Sequence, residues 1–272
     1  LGIRVLYIAE IVGKAGIWSV KSSLSHIKKT EKPDIVIANG DGTTGGWGLG
    51  RQHAGYLRKL GIDAITGGDC IFYKKDLVEG LDTLPYVLRP ANYPAESPGR
   101  GWRFFNAGTK RIAVVSLLGR ASFSRVHSEN PFTMLPVLSD RLRQETPYIL
   151  VDFHASATAE KQALFYLADG LVSAVIGSHS RVQTSDERIL EKGCGVITDS
   201  GRTGSQNSVA GIDAAVKIRE YISRVPDWSR DAWAKPELQG VVLDLDDAGR
   251  TAGIRRFRYE CPDPPGAGAE EE

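Results

Sequence analysis

The stretch Ala174-Val-Ile-Gly-Ser-His-Ser-Arg-Val-Gln-Thr184 decides how the chain is read. Ala174 to Ile176 is a short apolar run of the kind that forms a buried strand. Gly177 ends it, and polar residues follow. In an α/β sheet, ligands bind beyond the carboxyl ends of the strands. The stretch places His179 there, and Arg181 two residues on. A second imidazole at 181 would aim two metal ligands at one point. A guanidinium stands there instead, so the function turns on what Arg181 does.

Working outward, the same pattern recurs. Residues 3–9, 34–38, 62–66, 148–153 and 171–176 read as strands, alternating with helices over 51–60, 74–81, 135–145 and 158–167. A first helix follows the Gly13/Gly16 turn through about residue 28, and another covers 213–225. Between residues 86 and 118 the character changes: three short strands (86–89, 102–105, 111–118) are joined by Gly/Pro-rich turns with no room for helices. One more strand covers 195–199, and a hairpin of 238–245 and 253–260 turns at Asp246-Asp-Ala-Gly249. This pattern predicts one α/β domain over residues 1–261: parallel βα units flank an antiparallel insertion, in two facing sheets with helices outside. Residues 262–272 read as a frayed acidic tail.

The totals narrow the function. Over 272 residues, 34 Lys+Arg against 33 Asp+Glu give a formal charge of +1, which suggests neither a nucleic-acid surface nor a membrane surface. A small anionic ligand held by local groups remains open. Three scattered cysteines (Cys70, Cys194, Cys261) form no disulfide framework or Cys-x-x-Cys zinc site, as in a reducing compartment. No apolar run reaches the ~20 residues of a membrane span. A strand begins at once with no signal-like segment, so cytoplasm is expected.

Five polar clusters sit just past predicted strand ends: Glu10, Asn39-Gly-Asp41, Gly68-Asp69-Cys70, His154, and His179 with Arg181. Singly, each reads as a turn, a cap or a hydrogen-bonded histidine. Together, at equivalent topological positions, they would crowd three carboxylates, two imidazoles, a thiol and a guanidinium onto one rim. Carboxylates packed so closely repel unless a cation lies among them, and two His with two carboxylates are ordinary ligands for a divalent ion.

Here the chain resembles the calcineurin-like metallophosphoesterases, and more closely the YmdB-like bacterial phosphodiesterases. The likeness rests on residues 3–16, 39–49, 63–75, Leu88-Arg-Pro-Ala-Asn-Tyr-Pro94, Thr146-Pro-Tyr-Ile149 to His154 with Ala157-Thr158, 177–184 and Thr198-Asp-Ser-Gly201 to Gly204. It implies a four-layer αββα sandwich, two bridged transition metals, hydrolysis of cyclic nucleotide phosphodiesters and a homo-oligomer. The departures fall on the metal site. Glu10 stands for a first-strand Asp, Asp41-Gly42 for Glu-Asn, Asp69-Cys70 for Asn-His, and Arg181 for the final His.

Sorted by metal, the pattern divides. One site keeps Asp41, Asp69, His154 and His179, suited to Fe, Mn or Zn. The other keeps Glu10 and Asp41 without an imidazole, where Arg181 would pair with a carboxylate in place of a second ion. On this reading Arg181 also binds the phosphate and stabilises charge in the transition state. Cys70, where the resemblance implies a proton-donating His, is a weaker general acid. Asn39, Trp47 in Gly45-Gly-Trp-Gly48, and Arg120 in the loop Arg120-Ala-Ser-Phe-Ser-Arg-Val-His127 are the expected substrate contacts. The expectation is a weak phosphodiesterase with one divalent metal, acting on a small phosphodiester or nucleotide. The alternative is a degenerate scaffold without metal that binds a nucleotide or a partner.

Overall fold

A computed structural model describes residues 2–123, 127–227 and 231–264. The chain begins β1 (Ile3–Ile8), β2 (Glu10–Ile11), α1 (Gly13–Glu31), β3 (Ile35–Asn39), α2 (Arg51–Lys59), β4 (Ala64–Thr66) and α3 (Lys75–Gly80). After a 3-10 turn at Leu81–Thr83 come β5 (Val87–Leu88), β6 (Trp102–Ala107), β7 (Lys110–Leu118), α4 (Pro131–Arg143), β8 (Ile149–His154), α5 (Thr158–Ala168) and β9 (Ala174–Ser178). It finishes β10 (Arg188–Ile189), β11 (Gly195–Ile197), β12 (Arg202–Ser205), α6 (Ala214–Ser223), β13 (Pro236–Leu245) and β14 (Thr251–Glu260).

Two mixed sheets result. The first has the order β2-β12-β13-β1-β3-β4-β5, with β14 paired to β13; the second has the order β10-β11-β9-β8-β7-β6. β1, β3, β4 and β5 run parallel, as do β7, β8, β9 and β11. Period-2 alternation divides β1 between two cores. Val5 and Tyr7 face the second sheet and join Ile37, Ile112, Leu150 and Ile176, whereas Leu6 and Ile8 join Val20 and Leu24 of α1. A third core packs Leu164 and Phe165 of α5 against Val151 and Phe153 of β8. Strands buried on both faces explain the continuous apolar runs of the sequence. Three cores separate four layers, the αββα sandwich expected.

Two details differ from the sequence reading. Residues 86–118 are not one insertion: β5 lies parallel to β4 at the edge of the first sheet, and the β6–β7 hairpin opens the second. The polar strand ends also come from both sheets, β1, β3 and β4 of one and β8 and β9 of the other, so the rim is a seam between sheets. The short strands β2, β10 and β12 have no apolar run to announce them. Residues 265–272 of the expected tail and 124–126 of the 120–127 loop lie outside the described residues.

Candidate metal centre

His154 closes β8 and His179 follows β9, while Asp41 and Asp69 follow β3 and β4. The seam brings the four together. His154 Nε2 lies 3.0 Å from Asp69 Oδ1, 3.1 Å from His179 Nδ1 and 3.6 Å from Asp41 Oδ2, and His179 Nδ1 lies 3.6 Å from Asp69 Oδ1. Asp41 is fixed by backbone N–H donors: Gly68 N to Oδ1 at 2.6 Å and Cys70 N to Oδ2 at 3.0 Å. Gly68 must be glycine, because a β-carbon there would stand 2.3 Å from the His154 ring.

A chain of polar groups behind His154 sets its orientation. Ser178 Oγ donates to Asp152 Oδ1 at 2.7 Å, so it accepts from His154 Nδ1 at 3.0 Å. Asp152 also accepts from Asn39 Nδ2 at 2.9 Å and from Thr66 Oγ1. With Nδ1–H spent on Ser178, Nε2 faces the cluster, where it holds a proton or ligates a cation. Electrostatics shows what the cluster demands. Burial opposes charge on His154, yet the Asp69 hydrogen bond and the Asp41 and Glu10 carboxylates outweigh it and raise its pKa to about 9. Burial raises Asp41 to about 7; His154 pulls it down, and repulsion from Asp69 and Glu10 pushes it up. For Asp69 burial acts upward, but hydrogen bonds from His154 and His179 hold it well below the usual carboxylate range. The candidate ligand atoms form two groups that share Asp69, one with His154 and His179 and one with Asp41 and Cys70, and imidazoles with carboxylates are ordinary ligands for a divalent ion. The ligand atoms of Asp69, His154 and His179 lie within 4.8 Å of one another.

Beside this quartet the structure departs from a second metal site. Arg181 Nε and Nη2 both donate to Glu10 Oε1, at 2.9 and 2.7 Å, while Nη2 also reaches Gly46 O and Nη1 reaches Ala210 O. Glu10 is 1% exposed and Arg181 8%. A β-carbon at Gly42 would stand 2.8 Å from Arg181 Nη2 and 2.9 Å from Glu10 Oε1, so the pair needs glycine there. Glu10, Gly42 and Arg181 therefore form one unit. His179 and Arg181 both have positive φ, 100° and 58°, a strained choice for side-chain-bearing residues. The strain is held by a buried ion pair: Lys161 Nζ meets Asp199 Oδ2 at 2.9 Å, which accepts from Ser180 N at 2.8 Å. Arg202 Nη1 further holds Arg181 O at 3.1 Å.

Several expected roles change. Glu10, expected among the metal ligands, gives Oε1 to Arg181 and keeps Oε2 buried without a hydrogen-bond partner among the described residues. Arg181, expected on the phosphate, has four of its five N–H donors spent on Glu10 and two carbonyls. Asn39, expected on the substrate, is fully buried, with its amide N on Asp152 and its Oδ1 accepting from Asp41 N at 3.0 Å. Trp47 lies under the Arg181 guanidinium at 5.4 Å. Arg120 is exposed, its backbone N–H held by Glu160 rather than by the cluster. The Cys70 thiol is buried 3.6 Å from Asp69 Oδ2, and burial with the surrounding carboxylates pushes its pKa far up, so it keeps its proton.

The sequence reading missed Ser178, Asp152 and Phe123. Asp152 was findable as the one charge inside the apolar run Tyr148-Ile-Leu-Val-Asp-Phe153. Phe123 rests edge-on to His179 at 5.0 Å and stacks beside His154 at 6.2 Å, so the 120–127 loop sends an aromatic ring to the rim where a cation was expected.

In sequence and fold the chain is similar to known proteins. The family model described as YmdB-like protein matches residues 6–257. The 2′,3′-cyclic-nucleotide 2′-phosphodiesterase of Bacillus subtilis (strain 168) is 39% identical over 249 residues, covering 92% of this chain and 94% of that protein. Among solved structures, a novel phosphatase from Mycoplasma pneumoniae superposes with a TM-score of 0.90 at 28% identity, covering 97% of this chain and 95% of its own. A hypothetical protein from Thermus thermophilus gives 0.87 at 33% identity, covering 96% and 100%. A 5′-nucleotidase precursor from the same organism, at 11% identity and a TM-score of 0.60, shares the metallophosphoesterase fold alone.

Proposed function

The chain belongs to the YmdB-like family, and from that premise we propose that it hydrolyses 2′,3′-cyclic nucleotide phosphodiesters with one divalent cation where a dimetal relative would use two. The observation that carries this reading is the convergence of Asp41, Asp69, His154 and His179 beside a site already filled by the Glu10–Arg181 pair. Bound there, a divalent ion supplies a water of lowered pKa and a Lewis acid for a phosphoryl oxygen. The chain's own residues do the rest. Ser178 and Asp152 hold the His154 ring, and two backbone N–H groups hold Asp41. Asp69 and His179 form the open side, 19% and 34% exposed in their side chains, where substrate approaches past Phe123. Arg181 supplies a fixed positive charge that neutralises Glu10 in place of a second ion. The Cys70 thiol, buried and firmly protonated, is a poor donor to a leaving alkoxide, and slow turnover follows.

Fe, Mn or Zn suits the mixed N/O donor set. Among the described residues no helix is long and apolar enough to cross a membrane; a cytoplasmic homo-oligomer acting on a small nucleotide is part of this proposal. The test is metal content per chain after purification without added metal, paired with hydrolysis of 2′,3′-cyclic AMP with Mn supplied. About one ion per chain, with turnover abolished by Asp69→Asn, supports it. No ion and no turnover would leave a degenerate scaffold. Arg181→His combined with Cys70→His should move occupancy toward two and raise the rate; unchanged occupancy would show that the ligands are wrongly divided between the sites.

A further inference from the structure

On the outer side of the first sheet, α1 and α2 border a cleft of about 690 Å³. Lys14 and Lys21 line it from α1, and Arg51 and Lys59 from α2. Trp18, Tyr56 and Trp233 stand among these cations, and among the described residues no Asp or Glu is part of the lining. Lys21 Nζ lies 5.5 Å over the Trp18 ring. None of the four cations makes an ion pair among the described residues. Two nearby carboxylates, Asp231 and Asp76, accept from the backbone N–H of Lys14 and Arg51 rather than from their side chains, and the Arg51 guanidinium lies over Gly80 of α3. The balanced total charge conceals this local asymmetry.

The cleft begins one loop away from the metal centre. His53, in its wall, hydrogen-bonds Thr44 Oγ1 at 2.8 Å, in the loop that joins Asp41 to Trp47. Lys14 follows Gly13, whose N–H donates to Gly42 O at 3.0 Å, and Gly42 abuts the Glu10–Arg181 pair. From there, Lys14 to Lys21 spans about 10 Å along α1 and Arg51 to Lys59 about 12 Å along α2. Cations that track a phosphate backbone, with aromatic faces between them for bases, are the two parts of a single-strand nucleic-acid site.

We propose that this cleft holds the upstream nucleotides of a single-stranded RNA whose 3′ end is a 2′,3′-cyclic phosphate. The inference rests on the phosphodiesterase reading and narrows its substrate from a free mononucleotide to an oligonucleotide end. Hydrolysis adds one water across one P–O ester bond of the terminal ring, leaving a phosphomonoester and a free hydroxyl. The chain upstream of that phosphate stays on Lys14, Lys21, Arg51 and Lys59.

The test compares a fluorescein-labelled RNA hexamer ending in a 2′,3′-cyclic phosphate with 2′,3′-cyclic AMP, using the full chain and its Lys21→Glu/Lys59→Glu variant. Fluorescence anisotropy across a salt series gives hexamer affinity, and competition gives that of the mononucleotide. The hexamer should bind at least about tenfold more tightly, since stacking and phosphate contacts both add. The variant should lose that advantage, and its salt slope should fall by about 0.7 per lysine. Its hydrolysis of 2′,3′-cyclic AMP should be unchanged, which also shows that it is folded. A hexamer that binds no better than the mononucleotide, or a variant with unaltered hexamer affinity, overturns the proposal. So does loss of self-association in the variant with RNA binding retained, which would assign the cleft to a second copy of the chain. Hexamer binding that the variant loses, without hydrolysis of either ligand by the native chain, keeps the cleft and removes the phosphodiesterase reading.

Discussion

At Gly42 the absence of a side chain is what lets Arg181 reach Glu10. Adding one methyl group there forces a buried guanidinium and a buried carboxylate apart, and separating such a pair costs roughly 3–5 kcal/mol. Gly42→Ala should therefore lower the unfolding free energy by about that amount in urea titrations. In an Arg181→Met background the same substitution should cost far less, because the pair is already gone. Equal costs in both backgrounds would show that Gly42 acts independently of the pair. At His154 and Asp41 the relevant quantity is the proton. With pKa values of about 9 and about 7, both must lose protons to take a cation. Metal affinity should climb steeply up to pH ~7, where two protons leave, then about tenfold per unit to ~9, and level off above. Calorimetric titration of Mn into metal-free protein at several pH values measures this, and a flat profile would contradict the ligand set.

Among the elements, the turn after β9 carries both a metal-ligand candidate and the arginine, in a backbone conformation that neither side chain favours. Lys161 on α5 and Asp199 beyond β11 hold it from behind. Lys161→Met keeps the bulk and removes the charge, leaving Asp199 buried without its partner. A stability loss of roughly 3–5 kcal/mol in chemical denaturation is expected, with weakened metal binding as the turn relaxes. Stability lost with metal affinity intact would mean that the clamp does not reach His179. This turn also shows how far the sequence could be read. The strand 174–176 and the polar residues after it were visible, because buried strands are apolar and ligands gather past their ends. The choice of Asp69, His154 and His179 came from residue chemistry at those ends and from resemblance. Which groups Arg181 would touch was half legible. Its pairing with Glu10 follows from charge, but its burial under Gly46 and Ala210 carbonyls depends on loops with no periodic signal. Lys161 was hidden for the opposite reason, since a lysine on a helix reads as solvent-facing until a buried carboxylate is known to face it.

At the scale of the whole molecule, α6 leaves an apolar face uncovered. Ile218, Tyr221 and Ile222, spaced three and four residues apart, are 56%, 68% and 80% exposed. A face of that kind is an ordinary place for copies of a chain to meet. Ile222→Glu should raise the monomer fraction in size-exclusion chromatography with light scattering; an unchanged distribution would place self-association elsewhere. The rim has a different consequence for the whole. Its two acids belong to loops of one sheet and its two imidazoles to the other, with Asn39 and Thr66 reaching Asp152 across the seam. Anything that grips all four groups fastens the front half of the sandwich to the back half like a rivet. Tightness of grip and cohesion of the halves then become a single quantity.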